Sequence, residues 1–539
     1  MTNSTFTRRV MLRYLAGLGL VPAVALPDGG DPEQLIPLTA ENGTILVRLD
    51  SLTRLGQRLV ARVQFAQDDA PVLGPEMRAA AHRQLWQLVS EGRAAGNRGD
   101  LYENRDRGHS RLSPASHPQL THVTYDDAAR EAGIDYGLAG PVLFDAPLIG
   151  NSSTAVKHGP FWRSLPRLAL TQGESLLTMY QNYLSGHLHV YPGHHDHDPE
   201  HGDLIPANTP FFLASQGSSG SDRPHLEALA LILAALRPET KAYLQQSSLL
   251  APTVQMIFRR CLTAVRSRDA YYSGLAHPSV IPRDQINLMR MVSLANVLTP
   301  ETVPPMVQLA VVSETQGDEG LDFFGEGLSE QFLNTPVAIS RVWRSHEHSR
   351  SMVVSAEPTR DLQGRTPDFV WRILRGDPAR TRIEPLDDRG LRARITIEWQ
   401  SPRSVPGRRD VRSSRVDIGV FAQAGPHDST PGLISFLLPQ HETRQYASGP
   451  DGDMRIESRD LRRQNDVYAD PVIFPVTDWS DQYSYDAAGT LTGWVRDHES
   501  GTSRFDAQGR LMAAEGPRNV RYVVERPTRE PARVVLQPR

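Results

Sequence analysis

Apolar residues recur with a helical period through the first part of the chain and with a strand period after it. Over 74–92, Met77, Ala80, Leu85 and Leu88 fall near one face and predict an amphipathic helix. Thr171 and Glu174 have the separation of a capping box, and Gly186 stands where a C-terminal cap belongs. A second helix is therefore predicted between them, with Leu176, Tyr180 and Tyr183 or Leu184 toward the core. Further helices are predicted over 224–236, 252–265 and 284–298, and strands over 44–49, 141–144, 211–215 and 306–312. Residues 228–236 are all apolar, as in a helix buried on every side. The mixture predicts an α/β or α+β domain over 26–335.

Near Arg341 the texture changes to short alternating runs broken by turns, at 352–355, 368–373, 391–399, 416–421 and 433–438. That spacing predicts an all-β sandwich over 341–440. In the tail, 441–539, Tyr485-Asp486-Ala487-Ala488-Gly489-Thr490-Leu491 returns as Phe505-Asp506-Ala507-Gln508-Gly509-Arg510-Leu511. Each copy predicts a hairpin whose Asp and Gly make the turn while the aromatic and Leu share a face.

Two of these segments carry resemblances. Ser355, Asp361-Leu362-Gln363-Gly364, Phe369-Val370-Trp371, Leu374-Arg375-Gly376 and Val416 to Phe421, in that order, resemble the Ig-like PKD domains of exported bacterial proteins. The resemblance implies that Trp371 fills the space between two sheets, that the Asp361 turn joins two strands, and that the module is a spacer or adhesion unit. The tail copies resemble YD-type repeat units. At the N-terminus, Thr7-Arg8-Arg9-Val10-Met11-Leu12-Arg13 precedes a short apolar run that ends in Ala23-Val24-Ala25. This resembles a twin-arginine (Tat) signal peptide over 1–25, which implies a folded protein exported to a periplasmic or extracellular location, its mature form starting near Leu26. An ordinary Sec signal is the alternative. As a whole the chain resembles uncharacterised exported bacterial proteins, and its predicted fold class is multidomain.

The formal charge of -4 removes the basic face that a nucleic-acid partner needs. No segment after the leader is long and apolar enough to predict an integral membrane span. Of the 58 basic side chains only Lys157 and Lys241 are lysines. The arginines are spread evenly, which reads as codon preference before it reads as recognition. Cys261 is the sole cysteine, which excludes an intramolecular disulfide and multi-cysteine metal sites, and its helical setting makes it a small core residue.

Two segments carry candidate chemistry. His187, His189, His194, His195, His197 and His201 crowd together with Asp196, Asp198, Glu200 and Asp203 interleaved. His187-Leu188-His189 alternates like a strand, which aims both imidazoles at one face. With His197, Asp196 or Asp198 they could hold a divalent transition metal, although the spacing matches no strict metal motif and a solvated polar loop is the alternative. Gly217, Ser218, Ser219, Gly220 and Ser221 lie between a predicted strand and a helix opened by Pro224, an arrangement that could hold an anion or substrate, or merely cap the helix through Ser221 or Asp222. The polar turn 150–154 could share that sheet edge, with Arg105, Arg107 and His109 as cations if they are not simply a surface loop. Two functions stay open: an exported protein that binds an envelope polymer, glycan or protein partner, and an exported metal-dependent hydrolase with its site in 187–222.

Overall fold

The computed structural model describes residues 37–41, 43–55, 58–65, 100–105, 108–114, 117, 119–135, 142–151, 173–192, 210–216, 220–278, 280–317, 330–405, 408–462, 467–468, 470, 477–525 and 533–539. The helix expected over 74–92 lies outside them, as do the signal segment, His197, Asp196, Asp198, Gly217, Ser218 and Ser219.

Six strands of the first part form one sheet: β1 (Thr44–Val47), β2 (Asp100–Asn104), β3 (Leu120–Tyr125), β4 (Leu148–Asn151), β5 (His187–Pro192) and β6 (Phe212–Ser215). They run parallel in the order β6-β5-β4-β2-β3-β1. From β2 the chain turns toward β1 to make β3, then returns past β2 and continues outward through β4, β5 and β6. The direction of winding therefore reverses between β2 and β4, and open parallel sheets place ligands outside the carboxyl ends of the strands at such a reversal. The strands at 100–104 and 120–125 escape the hydrophobic pattern because Asp100, Glu103, Thr121, His122 and Thr124 interrupt it, although all but Thr124 are buried.

The helices are α1 (Gly173–Leu184), α2 (Arg223–Ala235), α3 (Pro238–Gln246), α4 (Leu250–Arg260) and α5 (Leu288–Val297). Beyond α1, Gly186 adopts φ +77°, the left-handed cap that a side chain would resist, and its N–H reaches the Tyr183 carbonyl at 3.2 Å. The expected all-round burial of α2 is found, from Ala228 through Leu236; each fully buried Leu or Ile there contributes roughly 1.5–3 kcal/mol. Helix α4 begins earlier than the pattern predicts and stops at Arg260, where the Arg290 guanidinium takes the carbonyls of Arg260, Leu262 and Val265 at 3.1, 2.8 and 2.7 Å. Helix α5 starts at Leu288 because Asn287 accepts the Arg290 N–H at 3.2 Å and fixes the first turn. Helix α3 was not legible in the pattern; its Lys241 pairs with Asp100 at 2.6 Å, both buried, and ties the helix to the amino end of β2.

The remainder is β-rich. Nine strands, β7 (Ala310–Glu314), β8 (Gln331–Thr335), β9 (Ala338–Val342), β10 (Ser349–Ser355), β11 (Asp368–Arg375), β12 (Thr381–Pro385), β13 (Arg392–Glu398), β14 (Arg415–Gln423) and β15 (Gly432–Leu437), form two sheets ordered β7-β10-β13-β12 and β8-β9-β15-β14-β11. Met352, Val354, Ile395 and Ile397 of one share a core with Trp371, Ile418, Val420 and Ile434 of the other. Trp371 donates its indole N–H to Gly390 O at 2.8 Å. The Asp361 carboxylate accepts the Gln363 N–H at 2.9 Å and closes the turn between β10 and β11.

Seven further strands follow as an antiparallel meander between Glu442 and Arg518. Both copies of the repeat fold into the same turn: Gly489 and Gly509 have φ +79° and +77°, and Asp486 and Asp506 accept the N–H groups of Thr490 and Arg510 at 2.8 and 2.9 Å. Phe505 and Leu511 pack with Trp494, whereas Tyr485 sends its hydroxyl to the Ile456 carbonyl.

Helices and sandwich meet at Phe421, whose ring lies 5.6, 4.8 and 5.4 Å from those of Tyr271, Tyr272 and His277. Arg268 grips Asp428 beside this contact at 2.6 and 2.9 Å. Among the described residues no helix is long and apolar enough to cross a membrane.

Candidate functional site

At the reversal point, Glu103 of β2 and His189 of β5 both register with Gly150 of β4. Three adjacent strands thus place these residues in one row, with Glu103 and His189 about 10 Å apart at the backbone. A glycine between them lets the two side chains meet over the middle strand, His189 Nε2 lying 2.7 Å from Glu103 Oε1. A Cβ on residue 150 would stand 2.8 Å from Glu103 Cγ and 3.0 Å from His189 Cδ2.

Arg105, one residue past β2, completes the group. Its N–H bonds the Asn151 carbonyl at 3.1 Å, its Nη2 donates to Glu103 Oε2 at 3.1 Å, and its Nε lies 2.9 Å from Oε1. Beside it, the Asn104 amide donates to His109 O at 2.8 Å and accepts from Gly108 N–H at 3.1 Å. Tyr125, at the end of β3, donates its hydroxyl to Glu103 Oε2 at 3.0 Å. The His189 ring stacks on that of Tyr191, and Tyr191 meets the edge of Phe212 at 4.7 Å. Every member is buried.

Burial alone would raise the Glu103 carboxyl, but the Arg105 charge and the bonds from His189 and Tyr125 hold it down at about 2. Burial followed by the Glu103 charge pushes Tyr125 up, and burial pushes Tyr191 up, so both remain phenols. Burial works against the Arg105 charge, but the Glu103 carboxylate, through its charge and its hydrogen bond and helped by the neighbouring tyrosines, keeps Arg105 a cation. At neutral pH the site holds a fixed carboxylate and a fixed guanidinium that cancel, surrounded by aromatic rings. A carboxylate held this low is a weak proton acceptor and cannot serve as a general acid.

His187 shares the face of His189, as the alternation predicts, but its Nε2 sits 3.1 Å from the Phe144 carbonyl while that of His189 is on Glu103. Burial, then the neighbouring His189, push His187 down to about 4. Among the described residues no three His, Cys, Asp or Glu side chains are grouped to hold a metal. The other proposed ligands, His197, Asp196 and Asp198, lie outside those residues.

On the opposite face, Ser215 at the end of β6 donates to Asp222 Oδ1 at 2.5 Å and lies 2.8 Å from Ser221 Oγ, while the Asn151 amide donates to Asp222 Oδ2 at 3.3 Å. Asp222 occupies the N-cap position of α2 without capping it; its carboxylate turns to the sheet, because the buried Ser215 and Asn151 offer it donors. Of the anion-loop candidates, Gly220 is exposed at φ +80° and Ser221 is buried. Arg105, raised from sequence as a candidate cation, does reach the edge, whereas His109 is exposed. Sequence reasoning missed Glu103 and Tyr125. The available signal was a Glu two residues ahead of Arg105, the spacing that puts both on one side of an extended chain.

Replacing Gly150 by Ala is expected to push Glu103 and His189 apart and cost about 1–3 kcal/mol, read by urea unfolding of the parallel-sheet unit. Because the Glu103 carboxyl lies below its ordinary 4.5 in the folded state, its stabilisation is complete above that pH and declines as pH falls toward about 2. The Glu103→Gln variant should be less stable at neutral pH and lose that part of the acid slope. An unchanged slope would refute the assignment.

No family model matches the chain, and no curated protein matches it. Among solved structures it is similar to a nucleoside hydrolase-related hypothetical protein from Saccharophagus degradans that is associated with carbohydrate metabolism, at 9% identity and a TM-score of 0.19, over 63% of this chain and 100% of that one. It is also similar to the N-terminal Ig1-2 module of the Drosophila receptor protein tyrosine phosphatase DLAR, at 12% identity and a TM-score of 0.12, over 36% of this chain and 94% of that one. The tandem Ig repeats of Dlar match at 12% identity and a TM-score of 0.11, over 37% and 94%. Likeness at these scores carries no argument about fold or chemistry.

Proposed function

We propose that this is an exported binding protein of the periplasm or cell surface whose parallel-sheet unit takes a neutral glycan over the carboxyl ends of β2, β4 and β5. The row Glu103, Gly150, His189, joined by Arg105 at the winding reversal, carries the reading. In this reading the buried carboxylate and guanidinium, of cancelling charge, would give a hydroxyl-rich ligand acceptors and donors once the ligand uncovers them, with Tyr191 and His189 supplying ring surface. The low proton affinity of Glu103 favours binding over acid–base catalysis. The β-rich part is an Ig/PKD-like sandwich with YD-type hairpins in this reading, and it holds the binding unit away from the surface it is attached to.

Calorimetric titration of the mature protein with a panel of soluble plant and bacterial cell-wall oligosaccharides should find a saturable ligand, and Glu103→Gln or His189→Ala should weaken it about tenfold or more. A folded protein that binds none of the panel would rule out the glycan.

For export, mass analysis of protein recovered from the bacterial envelope fraction should show a chain beginning near Leu26. Recovery of only the unprocessed chain from cytosol would count against it.

A further inference from the structure

A cleft of about 550 Å³ opens where α4 and α5 face the sandwich loop at 426–428, away from the sheet edge. Its walls combine Met256, Met289 and Leu294 with Arg260, Arg290 and His427. The size is that of a small-molecule site.

The charges in this cleft do not cancel. Among the described residues that line it, Asp428 is the one carboxylate, and Arg268 already holds both of its oxygens at 2.6 and 2.9 Å. Arg260 is left 3.9 Å from that carboxylate, with Nη1 buried and without a hydrogen-bond partner among the described residues, its guanidinium stacked 5.0 Å above the Tyr271 ring. Arg290 spends its donors on three backbone carbonyls, which orient the guanidinium but leave its charge unneutralised. Burial, then the Arg260 charge, keep His427 neutral, and burial pushes the Cys261 thiol up to about 12, so neither supplies an anion. Two fixed cations thus stand over a partly apolar floor, and a buried donor without a partner favours any ligand atom that accepts from it.

We propose that this cleft is a second binding site, for a small organic anion: a carboxylate or sulfonate against Arg260 and Arg290, with an apolar body on Met256, Met289 and Leu294. Arg260 supplies the directional hydrogen bond and Arg290 the field, while the methionines adapt to the shape of the apolar body. The inference is independent of the glycan site, which lies on another part of the fold.

Anilinonaphthalene sulfonate, which joins an anionic group to an apolar body, serves as the probe. Its fluorescence should rise saturably with the mature protein, and decanoate should displace it while decanol does not. Arg260→Gln should weaken the probe about tenfold. Arg260 also ends α4, so a second variant, Met289→Glu, places a repelling charge at an exposed position without touching the core, and it should weaken the probe by a similar factor. Thermal unfolding checks that each variant folds. Absence of saturable binding, equal displacement by decanol, or full affinity in Met289→Glu would each overturn the proposal.

Discussion

A carboxylate withdrawn from water must be paired, and the carboxyl edge of the parallel sheet is arranged around that requirement at Glu103. His189, Arg105 and Tyr125 each bring a donor from a different segment, so satisfying one charge fixes the relative positions of β2, β3 and β5. The dependence runs in both directions. Without Glu103, the Arg105 cation would be left buried and unpaired; without Gly150, the carboxylate could not reach the imidazole. Geometry and charge therefore specify one arrangement of the strand ends.

The same constraint recurs through the β-rich part. Arg415 is buried between Asp417 and Asp470 at 2.7 and 2.9 Å, Glu442 takes both Arg444 and Arg459, Arg496 forks onto Asp481, and Arg341 forks onto Glu314. Guanidinium suits these places because it keeps its charge when desolvated and matches a carboxylate with two parallel bonds. From sequence the even spread of arginines reads as codon preference; in these pairs the side chain has structural use. Such pairs add little net stability, yet losing one partner strands the other at about 3–5 kcal/mol. They therefore select register more than they add strength.

The parts of the fold that sequence made legible are those governed by apolar period. The buried helix at 228–236, the five runs between 352 and 438, and the two turns at Asp486 and Asp506 follow local rules that neighbouring residues alone satisfy. The candidate site was legible only in fragments. His189 came from the alternation at 187–189 and Arg105 from its polar stretch, but nothing local says that they meet at Glu103. That contact spans 86 residues and exists because strand order brings β2 and β5 to either side of β4. Glu103 and His122 look like surface residues in sequence, and burial is what makes them core. The capping role of Asp222 failed for a similar reason: donors from two other strands compete with the helix for its carboxylate, and they prevail.

Strand β4 serves both faces of the sheet. Its final two residues, Gly150 and Asn151, point to opposite faces, as successive strand residues must. The glycine gives up its volume so that Glu103 and His189 can join on one side, and the asparagine reaches Asp222 at the start of α2 on the other. Asn151 is fully buried, and its Oδ1 has no hydrogen-bond partner among the described residues. A polar atom in that position leaves the strand end poised to accept a donor. One strand end thus borders both the Glu103–His189 contact and the first residues of α2. Helix α2 is in turn buried along most of its length within the core it shares with α4 and α5, so the strand end, α2 and the helical layer form one packed block.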